Sequence, residues 1–413
     1  MRNLKVDGDR LWQSLMDMAR IGATAKGGSR RLAASDEDKL GRDLFVAWCE
    51  KAAMSVTIDR IGNIFARRPG RNDALPPILT GSHLDTQPTG GRFDGVYGVL
   101  AGLEVVRALD DAGIETEAPI EVAVWTNEEG ARFAPAMVAS GAFAGVFDVD
   151  AALAAKDADG KVFGEELARI GYAGKAPVGG RPIGAAFEAH IEQGPILEAE
   201  GQTIGVVTGV QGIRWYDVRI DGMEAHAGPT PMTMRKDAMV AAARLIAAAD
   251  AAAKAHAPHG RATSKVVEVK PKGSRNTIAG HVYLTIDMRH PSAAELDAMD
   301  RALRDAAQAA EAELGVAIAV EAIWTSPPVA FDPACIAAVR GATEALGYGH
   351  KDMVSGAGHD SCYIARVAPT AMIFVPCEKG ISHNEIENAR REDLEAGCNV
   401  LLHAMLERAN ARP

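Results

Sequence analysis

Two stretches decide the fold: PPILTGSHLD at residues 76–85 and APIEVAVWTNEEG at residues 118–130. Each is a short, largely uncharged run that breaks off in imidazole or carboxylate side chains. Such a run, bounded by Pro and by polar residues, reads as a strand buried on both faces. Between them, VYGVLAGLEVVRALDDAG (96–113) reads as a helix that ends at Gly113. Alternation of strand and helix predicts an α/β sheet covered on both sides, and such sheets bind ligands beyond the carboxyl ends of their strands. His83, Asp85, Glu128 and Glu129 all fall just past those ends.

Working outward, Arg10–Ala19 and Ser35–Ala53 carry apolar residues at helical spacing, and Ser35 followed by Glu37 and Asp38 marks a helix start. VTIDRIGNIFARRPG (56–70) reads as a hairpin. From Arg214 the pattern changes to strand RWYDVRIDG, helix KDAMVAAARLIAAADAAAKAHA, strand TSKVVEVKP, strand HVYLTIDMRH, helix AAELDAMDRALRDAAQAAEAEL and strand VAIAVEAIWT. That β-α-β-β-α-β order is the ferredoxin-like split unit. After Pro328 the first pattern resumes with the helical DPACIAAVRGATEALG, the buried strand PTAMIFVP and the closing helix REDLEAGCNVLLHAMLERANA. The expectation is a discontinuous catalytic domain, 1–213 with 328–413, carrying an inserted α+β lid, 214–327. A chain of 413 residues exceeds one ordinary core, which agrees with two domains.

Composition narrows the function. A formal net charge of -11 repels phosphate backbones and argues against nucleic-acid binding. The five cysteines lack CxxC spacing and read as reduced thiols of a cytoplasmic protein. MRNLKVDGDRLWQSLMDMARIG at the N-terminus has no apolar core of signal-peptide length, and no run approaches the roughly 18 apolar residues of a membrane span. No GxSxG, P-loop or dinucleotide fingerprint is present.

Four segments hold candidate chemistry. GSHLDTQPTGGRFDGVYG (81–98) offers His83, Asp85 and Asp94 in a Gly-rich loop. Imidazole and carboxylate suit divalent transition metals, and Asp85 could fix His83 as a partner behind it. The plain alternative is a polar loop with Asp in its turns. WTNEEGARF (125–133) places Glu128 and Glu129 after a strand, where one can bind metal and the other serve as general base. A helix start with acids in its first turn explains the same pair. FEAHIEQGPILE (187–198) puts His190 in a strand, and ISHNEIE (381–387) puts His383 in a loop; either His alone fits a structural role. Together, these residues supply enough ligands for two metal ions bridged by one carboxylate.

In combination, GSHLDTQPTGGRFDG, WTNEEGARF, EAHIEQGP, GMEAHAGPTPM, DMRHP, SGAGHD and ISHNE, in that order over nearly the whole chain, resemble the dimetal hydantoinase/carbamoylase amidases of the aminopeptidase-like metallohydrolases. These include N-carbamoyl-L-amino-acid hydrolases, allantoate amidohydrolases and β-ureidopropionases. The resemblance implies a mixed-sheet catalytic domain with a ferredoxin-like lid that also dimerises the protein. It implies His83, Asp94, Glu129, His190 and His383 as metal ligands, with Asp94 bridging and Glu128 as the catalytic base. It further implies Gln193 at the ureido group, His226 at the oxyanion, Asn276 and Arg289 at the substrate carboxylate, and Gly358 as a backbone contact. The implied cofactors are two divalent ions, zinc or manganese foremost, with cobalt and nickel also suited. The implied reaction is hydrolysis of N-carbamoyl-L-amino acids to amino acid, ammonia and carbon dioxide, with allantoate or β-ureidopropionate as alternative substrates and dipeptides as a more distant one. Arg289 ends an apolar strand, where a guanidinium can grip a carboxylate in two-point fashion or pair with Asp287.

Overall fold

The computed structural model describes residues 4–411. The outermost residues of the expected catalytic segments, 1–3 and 412–413, lie outside them. The strands are β1 (Ser55–Ile58), β2 (Ile64–Arg68), β3 (Ile78–His83), β4 (Ile120–Trp125), β5 (Ala185–Ile191), β6 (Ile204–Val210), β7 (Gly212–Asp221), β8 (Arg261–Lys270), β9 (His281–His290), β10 (Ala317–Ser326), β11 (Val329–Ala330), β12 (His350–Ser355) and β13 (Thr370–Val375). They form a nine-stranded sheet of order β1-β2-β4-β3-β5-β13-β6-β11, with β12 paired to β6, and a four-stranded sheet of order β10-β7-β9-β8. Contacts divide the chain into two compact units, one ending at Thr208 and resuming at Phe331, the other Gly209–Ala330.

In the first unit β4, β3, β5 and β13 run parallel to one another. β2 is antiparallel to β4, and β6 is antiparallel to β13, so the sheet is mixed. Every residue of β3, β4, β5 and β13 is buried, as strands sandwiched between two layers must be. The helix Val96–Asp111 is buried almost all round and packs on β3. The helix Asp36–Lys51 starts where the acids predicted it: Ser35 Oγ accepts from Asp38 N, and Asp36, Glu37 and Asp38 fill the first turn.

Three short helices (Val138–Phe143, Val149–Leu153, Phe163–Arg169) and the strands β6 and β12 also belong to the structure, although no periodicity announces them. Helices of five to seven residues span too few turns to show an amphipathic stripe.

The second unit follows the chain order β7, helix Ala238–Ala255, β8, β9, helix Ala293–Leu314, β10. All its strand pairs are antiparallel. β9 alternates between half-buried and buried residues along its length. Val282, Leu284, Ile286 and Met288 pack with Leu245, Leu296, Met299 and Leu303 of the two helices. The other face carries Tyr283, Thr285, Asp287 and Arg289.

Candidate active site

Because β3, β4, β5 and β13 are parallel, their carboxyl ends gather along one edge of the sheet. His83 is the last residue of β3, and Glu128 and Glu129 follow β4 by three and four positions. His190 is the penultimate residue of β5, and His383 lies in the loop after β13. Asp94 comes from the loop before the helix Val96–Asp111. Gly95 makes room there: its φ is +68°, and a Cβ on it would sit 2.3 Å from the His83 ring.

The imidazoles converge on Asp94. Its Oδ1 lies 3.1 Å from His190 Nε2 and 3.8 Å from His83 Nε2, and its Oδ2 lies 3.4 Å from His383 Nε2. His383 Nε2 is also 3.4 Å from Glu129 Oε2. Two donor sets result, His83–Asp94–His190 and Asp94–Glu129–His383, each with its ligand atoms within 4.8 Å of one another. The inner rings are oriented from behind. His83 Nδ1 is 2.8 Å from the Asp85 carbonyl, and His190 Nδ1 is 2.9 Å from the Ile191 carbonyl. A ring that donates from Nδ1 keeps the Nε2 lone pair for a cation. These residues therefore fit a pair of metal ions by donor chemistry and by orientation.

Asp85 stands behind His83, as the sequence suggests. Its carbonyl, not its carboxylate, orients His83. The carboxylate instead accepts from the backbone N–H of Glu128 and of Glu129, both at 3.3 Å, and so holds the turn that carries them.

Burial drives the Glu128 carboxyl well above its ordinary range, and the nearby Asp360, Glu129, Asp85 and Asp94 push it further. Glu128 Oε2 lies 3.4 Å from His83 Nε2. Glu129 is also raised by burial and by Asp94, while Gln87 opposes the shift, donating from its backbone at 3.1 Å and its side chain at 2.7 Å. Burial lowers His83 to about 4. Burial works the same way on His190, but contact with Asp94 prevails and raises it to about 9. Carboxylates this crowded and this dry call for positive charge.

Gln193 joins the same group. Its Nε2 donates to Asp94 Oδ2 at 2.9 Å, while its Oε1 is buried without a partner. Gly358, on the loop before the helix Ser361–Ile364, lies against the Met137 side chain, whose Cε would stand 2.9 Å from a Cβ there. Gln87, Ser382 and Glu387 belong to the network although the sequence did not single them out. Each stands inside a motif already quoted, but its role depends on contacts between distant segments.

The three remaining candidates belong to the second unit. His226 is exposed and bridges to Thr277, and Ala227 N donates to the Asn276 carbonyl, which sets His226 and Asn276 on adjoining segments. Arg289 grips Asp287 through Nε at 3.0 Å and Nη2 at 2.7 Å on the open face of the sheet. The ion pair that the sequence allowed is thus formed.

Residues 79–407 match the peptidase family M20/M25/M40. The chain is 51% identical to an N-carbamoyl-L-amino-acid amidohydrolase of Rhizobium meliloti over 98% of each chain. It is 36% identical to an N-carbamoyl-L-amino acid amidohydrolase of Geobacillus stearothermophilus, covering 98% of this chain and 99% of that one. A crystal structure of an amidase of the hydantoinase/carbamoylase family from Burkholderia multivorans superposes with a TM-score of 0.97 at 61% identity, covering 99% of this chain and 100% of that one.

Proposed function

Because the chain belongs to peptidase family M20/M25/M40 and, within it, to the hydantoinase/carbamoylase amidases, which hydrolyse amide C–N bonds, we propose that it hydrolyses N-carbamoyl-L-amino acids to amino acid, ammonia and carbon dioxide. The relatives named above support the substrate, and the observation that carries the two-ion chemistry is Asp94: its two oxygens face different sets of ligand atoms, as a carboxylate shared by two ions would.

We propose that His83, Asp94, Glu129, His190 and His383 hold two divalent ions, zinc or manganese foremost. Such ions, when bound, supply Lewis acidity and a water acidified toward neutrality. Glu128 moves the proton. Its carboxylate takes one from the attacking water and returns it to the leaving nitrogen. The buried Gln193 Oε1 has an acceptor to spare, which suits a ureido N–H. Gly358 offers backbone to the substrate. In the second unit, which we assign as the lid, His226 donates to the oxyanion. Asn276 and Arg289 clamp the substrate carboxylate, with Arg289 exchanging Asp287 for it. A homodimer through the lid follows from the family resemblance, and sedimentation velocity tests it. No helix among the described residues is long and apolar enough to cross a membrane. The five free, buried thiols suit the reducing cytoplasm.

The test is ammonia release from a panel of N-carbamoyl-L-amino acids, N-carbamoyl-β-alanine and allantoate. Metal-stripped protein is reloaded with manganese or zinc and run beside Glu128→Gln. Metal-dependent release of ammonia from carbamoyl-L-amino acids, abolished in Glu128→Gln, supports the proposal. Preference for allantoate or for the β-amino acid reassigns the substrate. Hydrolysis of dipeptides alone rejects the carbamoylase reading.

A further inference from the structure

Both loops that supply carboxylates to the centre hang from a buried carboxylate elsewhere in the chain. Asp85 holds the Glu128–Glu129 turn by two backbone N–H groups. Glu387 does the same for the Asp94 loop. Its Oε1 accepts from Phe93 N at 3.0 Å and from Asp94 N at 3.2 Å. Its Oε2 accepts from Ser382 Oγ at 2.9 Å, and Ser382 Oγ stands equally 2.9 Å from Asp94 Oδ2.

Glu387 is 1% exposed. A carboxylate so buried is costly unless donors surround it, and three donors meet this one. The chain also clears space for it, since a Cβ on Gly91 would fall 2.0 Å from the Glu387 carboxyl group. Glu387 thus reaches both the backbone of Asp94 and, through Ser382, its side chain. It also lies four residues beyond His383, so one loop carries a ligand and the brace of another ligand.

We propose that Glu387 is a positioning residue that fixes the Asp94 carboxylate between the two ligand sets. The inference rests on the dimetal reading above. Its purpose is geometric: Asp94 can face His190 on one side and His383 on the other only if its loop and the 381–387 loop keep one spacing.

Three variants test it. Glu387→Ala removes the brace. Glu387→Asp keeps the charge but is one methylene short of reaching both loops. Glu387→Gln keeps an oxygen for the Phe93 and Asp94 N–H groups. Full-length protein loaded with manganese is challenged with a chromophoric chelator, and the ions retained per chain are counted. Wild type should retain two ions, and the Ala and Asp variants should release them about 10–100-fold more readily. Glu387→Gln should stay near wild type. If Glu387→Ala does not fold, Glu387→Asp carries the test. Ala and Asp variants that bind as tightly as wild type overturn the proposal, and a lower melting point of the metal-free protein with unchanged ion retention does so by assigning Glu387 a purely structural role. Wild type that takes up fewer than two ions overturns the dimetal reading itself, a result visible before any variant is compared.

Discussion

The two sheets put their side chains to opposite uses. In the larger sheet β3, β4, β5 and β13 are buried along their whole length, so neither face is open to a ligand. The candidate ligands gather at the carboxyl ends, where backbone leaves the sheet and polar side chains can converge. In the smaller sheet β9 alternates, with Leu284 packed on the helices and Tyr283, Thr285, Asp287 and Arg289 on the open face. There a strand can present polar side chains along its whole length, not at its end alone. Parallel and antiparallel architecture thus decide where each unit can expose polar side chains.

The sharpest way to break this comparison is at a strand end. Glu128→Gln removes the proposed proton carrier while keeping its shape. We expect kcat to fall by about 10²–10⁴, with two ions still bound and an unchanged circular dichroism spectrum. Retention of most of the activity would mean that the turn after β4 is structural, as its acids alone would allow.

The next largest effect concerns the interior of the first unit. Arg42 and Asp38 are both fully buried and paired at 2.9 Å, and Arg42 also donates to the Gly62 carbonyl and to Thr126 Oγ1, directly after β4. Arg42→Met strands the Asp38 charge. It should cost about 3–5 kcal/mol in urea unfolding. A loss under about 1 kcal/mol would show that water reaches the pair.

The alternation of β9 makes a paired prediction. Leu284→Ala, on the packed face, should cost about 2–5 kcal/mol. Thr285→Ala, one residue along on the open face, should stay within about 0.5 kcal/mol. Equal losses would mean that the open face is covered in solution, for which the change in sedimentation coefficient with concentration is the direct check.

How far the sequence reveals this arrangement depends on the range of the forces involved. The α/β class, the capped start at Ser35 and the β-α-β-β-α-β order could be read because each rests on a local pattern of apolar spacing or turn chemistry. The convergence of His83, Asp94, Glu129, His190 and His383 could be suspected from strand-end positions, and the resemblance named them as a set. The braces could not be read. Gln87 finds Glu129 across 42 residues, and Glu387 finds Asp94 across 293. Nothing local distinguishes them from the polar residues of any loop. Asp85 shows the same limit at short range: the sequence pairs it with His83, but which atom does the work depends on how the backbone turns after β3.

On the open face the effect of Arg289 should be smaller than that of Glu128 and of a different kind. Arg289→Lys keeps the charge but loses the planar two-point grip now spent on Asp287. We expect KM for N-carbamoyl-L-amino acids to rise about tenfold or more, the loss of roughly one charge-assisted hydrogen bond, with kcat much less affected. A fall in kcat at constant KM would instead place Arg289 among the groups that act in the transition state.

The smallest effect sets the baseline for the others. Arg244 and Glu313 form a two-point pair at 2.6 Å between the two helices of the second unit, a geometry better than that of Arg42 and Asp38. Yet their side chains are 40% and 65% exposed, against zero for both partners of the buried pair. Water screens the exposed charges and solvates whichever is left alone, so Arg244→Met should cost far less than Arg42→Met in the same urea unfolding. The loss should shrink further as salt is raised to about 1 M, where the screening length falls to about 3 Å. A cost matching that of Arg42→Met would show that hydrogen-bond geometry, rather than burial, sets the worth of a charge pair in this protein.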